Sequence, residues 1–189
     1  MKLQSIIDQL YRVTGWRTFA VAVIVYLVFG AYVMPHGLST IQQLSGSKVE
    51  IMDLQFAYSP DRAREVISAY TDESRAYAAQ FDLIADSAYP VVYTFLFLIM
   101  MAGLFRGISA YGWHAGYLHL LPLLVMLIDY CENSCIIRMM HSYPDISDGL
   151  ARLTSTFTTI KWSLLGVETL LIIGALCILG YHWMKKSGN

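Results

Sequence analysis

Four apolar runs separated by polar stretches set the frame of the chain, at residues 17–34, 83–105, 117–138 and 157–183. Each approaches or exceeds the roughly 20 helical residues needed to cross a ~30 Å hydrocarbon layer. The pattern predicts an all-α integral membrane protein, a four-transmembrane-helix bundle that uses residues 1–189 as a single polytopic domain. The largest extramembrane piece is the stretch 36–82, which reads as an outer helical cap. Within it Met52, Leu54, Phe56 and Tyr58 alternate with Asp53, Gln55 and Ala57, a period of two that predicts one short strand. Ser59-Pro60 gives a capping hydroxyl with proline at the first helical position, and Ala63, Val66, Ile67 and Tyr70 follow at helical spacing. Thr71-Asp72-Glu73 marks a second helix start that runs on into the second span.

Prolines punctuate the spans. Pro35 is expected to stop the first helix, while Pro90 and Pro122 are expected to kink the second and third. Ahead of the first span, Leu3, Ile6, Ile7 and Leu10 form an amphipathic lead-in that ends at Gly15. The first apolar run is longer than the 7–15 residues typical of a signal peptide, so it reads as a retained anchor. With no charge inside, it reads as packing scaffold.

Composition agrees with the pattern: 56% of residues are hydrophobic and 14% charged, and mean hydropathy is +0.49, against about 45–50% apolar in soluble domains. The net charge of -1 argues against a nucleic-acid partner, which asks for a basic face. Membrane lipids are the implied surroundings, with a second copy of the chain or another membrane protein as further partners. Lys2, Arg12 and Arg17 precede the first span, Arg106 lies between the second and third, and Lys185 and Lys186 follow the fourth. By the positive-inside rule both termini are expected on the cytoplasmic side of a cell membrane, and Trp16, Trp113 and Trp183 fall at the boundaries an aromatic belt would occupy. Cys131, Cys135 and Cys177 all fall within spans and form no extracellular disulfide pattern.

The spans are not uniformly apolar. The third carries Asp129, Glu132 and Asn133 on one face, the second carries Asp82, Asp86, Tyr89 and Tyr93 on one face, and the fourth places Thr154, Thr158, Lys161, Leu165 and Glu168 along another. A charge inside a bilayer costs ~2.5–3.5 kcal/mol even on the permissive insertion scale, so these faces should turn inward and meet. One lysine cannot neutralise so many acids; the excess calls for a proton, a cation or water.

The expectation is a carboxylate/Lys pocket in the outer half of the bilayer that binds a lipid-like ligand and transforms it by acid/base chemistry. Asp129, Glu132, Lys161 and Asp86 are the candidate catalytic groups, and Asn133, Tyr89, Tyr93 and Thr158 the candidate ligand-binding ones. The competing reading is a non-enzymatic accessory or assembly subunit of a larger membrane complex, with Lys161 pairing to an acid only to fix helix register; an ion or proton pathway comes third. A divalent cation on Asp86, Asp129 and Glu132 is an alternative without a favoured metal, because no histidine joins the cluster and no zinc spacing occurs. Glu168, near the middle of its span, is expected to contact His119 or another subunit.

Two resemblances bear on this reading. Asp145, Asp148, Gly149, Ala151 and Arg152 resemble the first half of the CDP-alcohol phosphotransferase signature, whose carboxylates hold metals for phosphoryl transfer. Its second half would need glycine and two aspartates where Lys161, Leu165 and Thr169 stand, so Asp148-Gly149 is read as an ordinary turn. The layout of four spans, a long first outer loop and buried acids is similar to the emopamil-binding sterol-isomerase-like family, which acts on a sterol double bond; the likeness stops at layout and implies no membership.

Overall fold

A computed structural model describes residues 9–113 and 116–187, and all the regular structure among them is helical. Leu3, Ile6 and Ile7 of the lead-in lie outside the described residues; residues 9–13 are helical. Five helices follow: α1 (Trp16–Ser45), α2 (Pro60–Ser68), α3 (Asp72–Ser109), α4 (Leu121–Ser142) and α5 (Asp148–Ser187). Of these, α1, α3, α5 and α4 with its preceding 3-10 turn (Leu118–Leu120) are long and apolar enough to cross a membrane.

Proline does not end α1. The helix widens into a π turn over Phe29–Val33, directly before Pro35, and continues to Ser45. A wide turn lets the ladder absorb a residue with no N–H and a bulky ring, which a regular α turn would not. The actual stop is Gly46, which adopts φ 68° and returns its N–H to the Gln43 carbonyl, a left-handed cap for which glycine is suited. Pro122 likewise bends nothing: it sits in the first turn of α4, where its missing N–H has no helical partner to lose. Pro90 does lie inside a helix, α3.

The caps in the 46–71 region form as their residues dictate. Ser59 Oγ accepts from the Arg62 N–H at 3.2 Å to start α2, and Thr71 Oγ1 accepts from the Ser74 N–H at 3.2 Å to start α3, which then runs unbroken through the apolar stretch. The expected strand is absent: Met52–Leu54 is one 3-10 turn, because no second strand lies beside it to pair with. Asp148-Gly149 is not a turn either. Ser147 Oγ accepts from the Leu150 N–H at 3.3 Å, capping α5, and Asp148 sits in that helix's first turn with Arg64 paired to its carboxylate.

The helices pack mainly as α3 on α4, α4 on α5 and α1 on α3. The cap end has its own apolar core, in which Met52, Ala63 and Ile67 meet Ile136 and Met139 of α4 and Ala151 of α5. The opposite end is closed by Met101, Phe105 and Ile108 of α3 with Ala175 of α5. Between these two apolar ends lies the polar layer.

Candidate functional site

The polar layer is organised by Lys161, a residue only 5% exposed. It lies 2.6 Å from Glu132 Oε2, 3.2 Å from Asp129 Oδ1 and 3.9 Å from Asp53 Oδ2. The other oxygens of the first two acids are also held. Tyr93 Oη donates to Asp129 Oδ2 at 2.7 Å, and Thr158 Oγ1 lies 2.6 Å from Glu132 Oε1. Thr158 also lies 3.0 Å from the Thr154 carbonyl, so its single proton chooses between the two acceptors. The three helices thus meet in one bonded unit, with α3 contributing Tyr93, α4 Asp129 and Glu132, and α5 Thr158 and Lys161.

Pro90 explains a second set of contacts. Its ring nitrogen cannot donate to the carbonyl four residues earlier, that of Asp86. Asn133 Nδ2 reaches that carbonyl at 3.4 Å, and Tyr130 Oη donates to the neighbouring Ser87 carbonyl at 3.0 Å. The side chain of Asn133 is therefore occupied in joining α4 to α3.

On one side of this layer is a cavity of about 600 Å³. Its wall includes Asp86, Tyr89, Tyr93, Asp129 and Lys161 from the expected set; Glu132, Asn133 and Thr158 stand behind that wall and not in it. The remaining lining is mostly apolar and aromatic, and α1, expected to be scaffold alone, supplies Tyr26, Gly30, Met34, Pro35 and Leu38. Tyr26 and Phe29 stack on Tyr89 with ring centres 5.9 and 6.1 Å apart, and Tyr89 meets Tyr93 edge-on at 5.6 Å.

Asp53 is the site residue that periodicity missed. Alternation places it on the outward side of a strand, yet the segment around it is drawn onto α5. Trp162 Nε1 donates to the Asp53 carbonyl at 2.9 Å, Thr159 Oγ1 donates to the Phe56 carbonyl at 2.8 Å, and the Tyr58 N–H donates to Ser155 Oγ at 3.0 Å. These bonds lay the loop over the cavity and turn the Asp53 carboxylate towards Lys161. Burial, the strongest influence, lifts the Asp53 carboxyl above the usual range; Lys161 opposes that rise and Asp129 adds to it.

Glu168 does not reach His119. It is 1% exposed and neither of its oxygens has a hydrogen-bond partner among the described residues, while His119 lies against the Tyr11 ring at 5.7 Å between centres. No three Asp, Glu, His or Cys side chains among the described residues converge to hold a metal ion. The Lys161 ammonium occupies the place between Asp129 and Glu132 where a cation would have to sit.

No family model, curated protein or solved structure matches the chain.

Proposed function

We propose that the chain is a multi-pass membrane protein whose cavity takes a lipid-like ligand from the bilayer and exposes it to acid/base chemistry. The observation that carries this reading is the shared wall: Asp86, Asp129 and Lys161 face the same 600 Å³ space as a mostly apolar and aromatic lining. That volume lies in the range of small-molecule sites, and apolar walls with a few convergent polar groups are their usual form.

The membrane setting is supported by what the helices leave outside. Val21, Ile24, Leu27 and Val28 of α1 and Leu170, Ile173 and Leu176 of α5 are exposed, a long apolar surface that water would penalise and lipid would not. Trp16, Trp113 and Trp183 are exposed at the bundle end away from the cap, where the chain carries Arg12, Arg17, Arg106, Lys185 and Lys186. This arrangement favours cytoplasmic termini and a cap on the outer face.

In the proposed chemistry Asp129 accepts a proton from the ligand or returns one, Tyr93 and Lys161 hold its two oxygens in place, and Glu132 with Thr158 fixes Lys161 from behind. Asp86 is the second cavity-facing carboxylate. The main contacts of α1 are with α3, and those of α5 are with α4 and α3, so the cavity lies where α1 and α5 leave room between them and a ligand can enter sideways.

The test is retention of ligand by purified protein. Native mass spectrometry in gentle detergent should show a lipid-like adduct on the wild type. Leu165→Trp, which fills the cavity from α5, should lose the adduct while remaining monodisperse. A wild type that carries no adduct and copurifies with a stoichiometric membrane protein would replace this reading with that of an accessory subunit.

A further inference from the structure

We propose that the ligand of this cavity is cationic, a lipid-like molecule whose protonated amine sits against Asp86 with Asp82 beside it; this rests on the reading of the cavity as a lipid-like ligand site. Asp86 is nine-tenths buried on the cavity wall, and among the described residues its carboxylate receives no hydrogen bond and no ion pair. Asp82, one helical turn earlier, also lines the cavity and also lacks a basic partner among the described residues.

The four cations that form ion pairs among the described residues all pair with other acids. Lys161 is shared by Glu132, Asp129 and Asp53. Arg62 is bound to Glu50 and Glu65, Arg64 to Asp61 and Asp148, and Arg75 to Asp72 and over the Tyr143 ring at 4.1 Å. Two carboxylates therefore face a mostly apolar space without an ion-pair partner among the described residues.

The wall around them suits an organic cation. Tyr26, Phe81, Tyr89 and Tyr93 line the same cavity, and aromatic faces attract ammonium groups as well as apolar bodies. A hard metal ion needs several oxygen donors converging on one point, and the described residues offer no such set. An anionic headgroup would add charge of the wrong sign. A neutral lipid would leave Asp86 to be neutralised by a proton, whereas an amine keeps it ionised through a charge-assisted N–H···O bond and brings an apolar remainder for the rest of the cavity.

The experiment compares two probes that differ only in the head: hexadecylamine and hexadecanol, titrated at pH 7 onto the full-length protein in phosphatidylcholine nanodiscs, with protein-free discs of the same lipid subtracted. The expected result is at least tenfold tighter binding of the amine. Asp86→Asn should bring the two probes to parity with an unfolding midpoint no lower than that of the wild type, and Asp82→Asn should narrow the gap by a few-fold. Equal affinity of both probes for the wild type would overturn the cationic assignment and leave the lipid-like cavity standing. Failure of both to bind would remove the cavity reading along with it. A tenfold preference that survives in Asp86→Asn would show that this carboxylate is not the seat. The wild-type comparison needs no variant, so misfolding of a mutant leaves the main outcome readable.

Discussion

Two groups of carboxylates share one layer of this molecule and are treated in opposite ways. Asp129 and Glu132 on α4 are 7% and 0% exposed and every one of their oxygens faces Lys161, Tyr93 or Thr158. Asp82 and Asp86 on α3 border the same space and, among the described residues, form no ion pair. The members of the first group depend on one another: removing any of them strands another that is buried. The second group is held by helix geometry alone and presents its charge to whatever enters. One acid pair is bonded across the helices, and the other has no ion-pair partner among the described residues.

The sharpest way to break the contrast is Lys161→Met. It strips Asp129 and Glu132 of the cation they share among the described residues, and loss of one partner from a buried ion pair costs about 3–5 kcal/mol. Thermal or denaturant unfolding in detergent should show the largest loss of any single polar substitution in the layer. A variant as stable as the wild type would mean that the α4 acids hold the bundle no more firmly than the α3 acids do.

Glu132→Gln should come next. The amide keeps an acceptor for Thr158 but sets an N–H₂ or a neutral oxygen against the ammonium, an imperfect replacement worth about 1–3 kcal/mol. Lys161 retains Asp129, so the loss should be smaller than for Lys161→Met; a larger loss would make Glu132, and not the lysine, the centre of the unit.

How much of this contrast the sequence discloses depends on the kind of information involved. Helical faces are local, so spacing alone places Asp82, Asp86, Tyr89 and Tyr93 together and Asp129 with Glu132 and Asn133. Capping is local too, and Ser59 and Thr71 act as their neighbours dictate. What spacing cannot supply is which neighbours a face meets. Asn133 satisfies a carbonyl freed by Pro90, a partnership across two helices. Asp53 joins Lys161 because three side chains of α5 bind its loop, and no periodicity within residues 50–58 contains that fact. Pro35 misleads for a related reason: the rule that proline ends a helix assumes a regular turn before it, and the π turn at Phe29–Val33 removes the assumption.

Asp86→Asn sharpens the contrast from the other side. With no partner to lose, the amide removes an uncompensated buried charge, and stability in ligand-free protein should be unchanged or higher by about 1 kcal/mol. The same substitution in the bonded group costs stability, so opposite signs for Glu132→Gln and Asp86→Asn in one unfolding assay are the signature expected. A clear loss for Asp86→Asn would place it with the α4 acids.

Asp53 lies between the two groups, with one oxygen 3.9 Å from Lys161 and the side chain 21% exposed, and it gives the smallest effect but the most informative sign. Burial, the largest influence, raises its carboxyl above the 3.8 of a free aspartate. An acid whose pKa is raised on folding contributes stability that is fully present below its unfolded value and is lost as pH rises through the folded one. Wild type should therefore lose ground relative to Asp53→Asn as pH climbs from 4 to 7, with the two converging at the acid end. The opposite slope, with the variant less stable at pH 7, would mean that the attraction of Lys161 outweighs desolvation, and Asp53 would then count as a third member of the bonded group.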